Sequence, residues 1–127
     1  MIEEEILALL RLQKTPMIGD ILAKKLIAHI GSAADIFKEK KNILQKINGI
    51  GKFTIENLFD NSNQRLAELE FEYIKQNKIQ YSYFLDNDYP VNLKHCIDGP
   101  ILFFKDGSID FSNDKIISIV GTRRMTN

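Results

Sequence analysis

The chain has 127 residues, 44% of them hydrophobic and 27% charged, which is a folding composition rather than a disordered one. Basic and acidic residues balance at 17 each, which excludes a wholesale polyanion binder but leaves room for a local basic patch. The single cysteine, Cys96, excludes an intrachain disulfide and a multi-cysteine metal site, and no apolar run approaches the ~20 residues of a membrane span.

The N-terminus, MIEEEILALL, carries acids where a secretion signal needs bases, so a cytoplasmic protein with no membrane partner is expected. Ile2, Ile6 and Leu10, with Leu9 beside them, predict a first helix whose Glu3–Glu5 suit the positive end of the helix dipole. Leu22, Leu26 and Ile30 predict a second, ended by Gly31. Ser32 and Asp35 read as a capping box for a short third helix with Ile36 and Phe37. Ile43, Leu44 and Ile47 mark a fourth, and a fifth runs from about Lys52 to Phe59. The DNSN cluster at 60–63 breaks the pattern, and Leu66, Leu69, Tyr73 and Ile74 then predict a connecting helix.

From Lys78 the period changes to two. Ile79, Tyr81, Tyr83 and Leu85 alternate with Gln80, Ser82 and Phe84, a strand pattern in which the aromatics pack into a core. ILFFK is a second strand, and IISIV, nearly all apolar, a third that needs cover on both faces. Three strands do not complete such a sheet. The chain is therefore expected to be an α+β fragment: a five-helix domain at 1–62, a connecting helix at 63–78, and the first strands of a truncated α/β domain at 79–127. Lacking covering helices, the strand half is expected to be marginal beside a stable helical half.

The stretch LQKINGIGKFTIENLF has the helix-hairpin-helix pattern: glycine, apolar residue, glycine, helix. Gly49 and Gly51 permit a sharp turn and close approach of a phosphate, Ile50 anchors the turn in the core, and Lys52 adds charge beside the first amides of the next helix. Earlier, LQKTPMIGDILAKKL is a weaker copy, with Ile18, Gly19 and Ala23 in place and Lys24 following. Met17 replaces its first glycine, Asp20 sets a negative charge at the candidate phosphate position, and the second copy has Ile55 where alanine is usual. Together the two copies resemble the tandem helix-hairpin-helix, SAM-like group. Gly49, Ile50, Gly51, Lys52, Gly19 and Lys24 are the candidate DNA contacts of this half, the alternative being that the hairpins only pack the helices.

The second half resembles the DprA (Smf) family of DNA-processing proteins. The resemblance rests on Tyr89-Pro90 with Leu93 and Lys94, on Pro100 with Leu102-Phe103 and Gly107, and above all on Ile119-Val120-Gly121-Thr122-Arg123 with Thr126. It implies an extended Rossmann-like domain and a non-enzymatic role without cofactor. Its members bind single-stranded DNA, dimerise, and help load RecA in natural transformation, with the dimer surface expected in residues beyond this chain. It places Gly121, Thr122 and Arg123 at the mouth of a phosphate pocket, with Arg124 as neighbour. Physical chemistry agrees: ligands gather at the carboxyl ends of strands in open α/β sheets, and a planar guanidinium can grip a phosphate bidentately. Two alternatives compete. One is a phosphoribohydrolase-like enzyme of related Rossmann-like fold, which needs a glycine-rich loop and a catalytic glutamate not found in these 127 residues. The other is a helical protein-interaction module.

Overall fold

The computed structural model describes residues 2–106. The third predicted strand and the Gly121–Arg124 turn lie outside the described residues.

Seven helices and two strands follow in the order α1 (Glu3–Lys14), α2 (Asp20–Ile30), α3 (Ala33–Ile36), α4 (Lys41–Gln45), α5 (Lys52–Leu58), α6 (Asn61–Gln76), β1 (Gln80–Tyr83), α7 (Val91–Lys94) and β2 (Leu102–Lys105) among the described residues. The five helices expected before residue 60 are all present, and the described part is α+β.

α1 is the central element. Leu9, Leu10 and Leu12 are completely buried, which no single-faced amphipathic helix achieves. The extra faces are taken up by α6 and α3, both packed against α1. Glu5, also on α1, accepts hydrogen bonds from the amides of Ala33 (2.7 Å) and Ala34 (3.0 Å), so its carboxylate neutralises two orphan donors at the start of α3. Ser32 caps the same helix by accepting from the Asp35 amide at 3.2 Å, the Ser half of the expected capping box. α2 ends at Gly31, whose φ of 117° a side chain would strain.

The connecting helix differs from expectation in start and face. It begins at Asn61 rather than 63, because Asp60 is an N-cap whose Oδ1 accepts from the Ser62 amide (2.9 Å) and hydroxyl (2.8 Å). Those bonds hold the Asp60 carboxyl below the usual carboxylate range, the backbone bond first. The buried face of α6 is Asn63, Ala67, Phe71 and Ile74, whereas the Leu66, Leu69 and Tyr73 used to find the helix stay exposed. Ala67 is completely buried, and Asn63, 4% exposed, donates to the Asn57 carbonyl at 2.7 Å.

β1 and β2 are antiparallel neighbours, with Tyr81 opposite Phe104 and Ser82 opposite Phe103. The strand is shorter than the alternating run, and on its polar face Gln80 is exposed while Ser82 is not. Ser82 is completely buried, its hydroxyl 3.1 Å from Lys105 Nζ, which also pairs with Asp88 at 2.9 Å. That bond to Lys105 is the main reason the Asp88 carboxyl is held low. Tyr81 and Tyr83 pack on the helical core, as their alternation predicted. The expectation that ILFFK would lack cover is corrected: Ile101 and Leu102, 1% and 2% exposed, join the same core as α1, α2 and α6.

Two glycine turns and a candidate nucleic-acid interface

The two predicted hairpins adopt one backbone geometry. Met17 has φ 69° and Gly49 has φ 95°, both left-handed. The next residues, Ile18 and Ile50, are 6% and 5% exposed, each an anchor pinning its turn to the core. Gly19 (φ −90°, ψ −176°) and Gly51 (φ −99°, ψ 177°) then serve as N-caps of α2 and α5. Each caps through its carbonyl, Gly19 to the Ala23 amide (2.9 Å) and Gly51 to that of Ile55 (3.1 Å). Ala23 and Ile55 are both buried, as are Leu26 and Leu58 one turn on. So two of the three sequence departures, Met17 and Ile55, change side chains without changing the path of the chain. The Gly49 turn also leans on α2, since a Cβ at Gly49 would stand 3.5 Å from Leu22 Cδ1.

Beyond the backbone the two turns differ. The first faces the strand half. The Ile101 amide donates to Asp20 Oδ1 at 3.0 Å, and Gln13 Nε2 donates to the Leu102 carbonyl at 2.8 Å. Lys24 Nζ lies 3.4 Å from the Ile97 carbonyl and 5.6 Å from the Phe84 ring centroid. Leu12, Gln13, Gly19, Asp20 and Ile101 line a cleft of about 320 Å³ at this junction. Asp20, the residue that spoils a phosphate site by charge, thus meets a backbone donor brought from far along the chain. Sequence reasoning had no signal for that pairing.

The second turn faces outward. Lys52 opens α5, exposed and with no ion-pair partner among the described residues, and Lys46, also exposed, closes α4 just before the turn. The ion pairs among the described residues engage Lys14, Lys38, Lys75 and Lys105 instead. Gly49, Ile50, Gly51 and Lys52 form one exposed turn with Ile50 buried beneath it, whereas Gly19 and Lys24 stand against the strand half. Gly121, Thr122, Arg123 and Arg124 lie outside the described residues.

Several residues that carried the family resemblance have structural duties. Tyr89 is 2% exposed, donates from its hydroxyl to the Pro100 carbonyl at 2.8 Å and meets the Phe103 ring edge-on at 5.5 Å. Burial, then the nearby Asp20 charge, raises its pKa. Gly99 allows close packing there, since a Cβ would come within 2.8 Å of the Leu93 carbonyl oxygen. Among the described residues no group of His, Cys, Asp and Glu could hold a metal ion, and no helix is long and apolar enough to cross a membrane.

The geometry of the described residues is α+β with a duplicated glycine turn, one copy docked internally and one presenting exposed lysines to solvent. Residues 80–127 match the family of DNA recombination-mediator protein A. The matched stretch contains the Tyr89-Pro90, Pro100 and Gly121-Thr122-Arg123 on which the resemblance rests. No curated protein and no solved structure matches.

Proposed function

We propose that the chain is part of a cytoplasmic recombination mediator that binds single-stranded DNA, forms a homodimer and helps load RecA, without catalysing a reaction. The match of residues 80–127 to the mediator family carries this reading. In it Gly121, Thr122, Arg123 and Arg124 grip phosphate at a strand end of a Rossmann-like domain. The helical half is a tandem helix-hairpin-helix domain of SAM-like type whose second turn, Gly49–Lys52, adds a backbone contact. The repeated left-handed, anchor and N-cap geometry supports that assignment. The first turn is left to hold the two halves together, since Asp20 and Lys24 point there. A second reading, a protein-contact module, is favoured by exposed Leu66, Leu69 and Tyr73 along one face of α6, and both roles can coexist.

The test is fluorescence anisotropy of the chain against labelled oligothymidine and a duplex of equal length over a range of salt. Tighter, salt-sensitive binding of the single strand is expected. Arg123→Ala and Lys52→Ala should each weaken it and flatten the log–log salt slope by about 0.7 per lost phosphate contact. No binding to either DNA would refute the reading for this chain.

A further inference from the structure

The second turn carries a side chain that a phosphate contact does not need. Phe53 is 63% exposed, although Ile55 and Leu58 on the same helix are buried. Lysines lie on its N-terminal side, and Glu56 follows one turn later on the same helix. Lys46 stands before the turn and Lys52 directly precedes Phe53. Along α4 and α5 the pattern continues: Lys40 is exposed, its backbone amide donating to Glu39 Oε1 at 3.0 Å, and the Lys41 ammonium sits 5.3 Å over the Phe59 ring at the far end of α5. In a chain with no net charge, the stretch between Glu39 and Glu56 carries four lysines and no acid, with an open aromatic ring among them.

We propose that Phe53 is a stacking platform for an unpaired base of a DNA single strand whose phosphates pass Lys46 and Lys52. The proposal rests on the reading that the second turn binds DNA backbone, and it adds what that contact lacks. Lysines alone attract duplex and single strand alike, because phosphate contacts carry no information about pairing. A duplex keeps its base faces stacked inside, so only an unpaired base can lie on the ring. Every base has a π face, so the contact is tolerant of sequence. The matching residue of the first turn, Ile21, is 50% exposed but aliphatic, and there Asp20 takes the place of Lys52. Strand discrimination in the helical half is thereby confined to the second turn.

The chain contains no tryptophan, so Phe53→Trp introduces a single indole at the platform. Its fluorescence should be quenched by oligothymidine and left unchanged by an abasic strand of equal length. Phe53→Ala should weaken oligothymidine binding about five- to tenfold, the lower part of the range for one stacked base, with abasic binding and the salt slope unchanged. Lys52→Ala should instead weaken both strands and flatten the slope. If the native chain binds oligothymidine but the indole responds equally to both strands or to neither, the platform is refuted while the DNA-binding reading stands. Self-association that disappears in Phe53→Ala, with DNA affinity unchanged, would also overturn it and assign the ring to a protein contact. A native chain that binds no strand overturns both.

Discussion

Asp20→Ala should loosen the junction between the helical and strand halves more than its position on a helix surface suggests. The carboxylate accepts from the amide of Ile101, a residue only 1% exposed, at 3.0 Å. Removing an acceptor from a buried amide costs about 1–3 kcal/mol. Loss of an acid from the first turn of α2 adds roughly 0.3–1 kcal/mol. The adjoining cleft of about 320 Å³ admits water, which can take up part of the amide's bonding. The net expectation is a loss of about 2 kcal/mol for Asp20→Ala. Asp20→Asn keeps an oxygen acceptor and gives up the charge, so it should lose only about 0.5–1 kcal/mol. Urea unfolding followed by far-UV circular dichroism reads both. With a slope of about 1–1.5 kcal/mol/M, the alanine midpoint should fall by about 1–2 M. Hydrogen exchange should accelerate at the Ile101 amide ahead of the α1 amides. An alanine variant within 0.5 kcal/mol of the native chain, or an asparagine variant as unstable as alanine, would refute the reasoning.

Two further tests address the pH response and the turns. Burial first, then the charges of Glu5 and Asp86, push the Tyr83 phenol up to about 12 from an unfolded value near 10. The folded state thus holds that proton more tightly, so Tyr83 contributes stability that is complete below about pH 10 and is lost as pH rises towards 12. Absorbance titration at phenolate wavelengths should show a late tyrosine step that Tyr83→Phe removes, while a chain whose tyrosines all titrate near 10 would contradict the burial. At the turns, Gly49→Ala should destabilise by about 1–2 kcal/mol and Met17→Gly should stabilise by up to about 1 kcal/mol, because both positions are left-handed. Met17 is 71% exposed and gives up little packing in exchange, so thermal midpoints moving in the same direction for both variants would exclude a shared geometry.

What was legible in the sequence divides by range. Helix existence could be read from local periodicity, and the glycine turns from their dihedral needs, even where Met17 hid the first. The face of α6 could not. Its sequence carries two apolar stripes, Leu66–Leu69–Tyr73 and Ala67–Phe71–Ile74, and local spacing favours the bulkier one. The choice is made by packing on α1, where Lys14 meets Glu70 at 2.6 Å and the Ala67 stripe is the one buried. Ser82 failed for the same reason in a strand. Alternation assigns it to a wet face, but Lys105 and Asp88 arrive from elsewhere and close over it.

The same distinction separates the two hairpins. Locally they are near copies, and a motif-level reading gives them the same candidate role. Their difference comes from one charge. At the first residue after the N-cap glycine, Asp20 attracts a backbone donor, and the strand half supplies Ile101. At the equivalent place stands Lys52, which offers no acceptor and is exposed. A duplicated motif has thus been divided between an internal joint and an outward basic surface. Phe53, of no use to the core, stands on the outward copy, where an unpaired base can reach it.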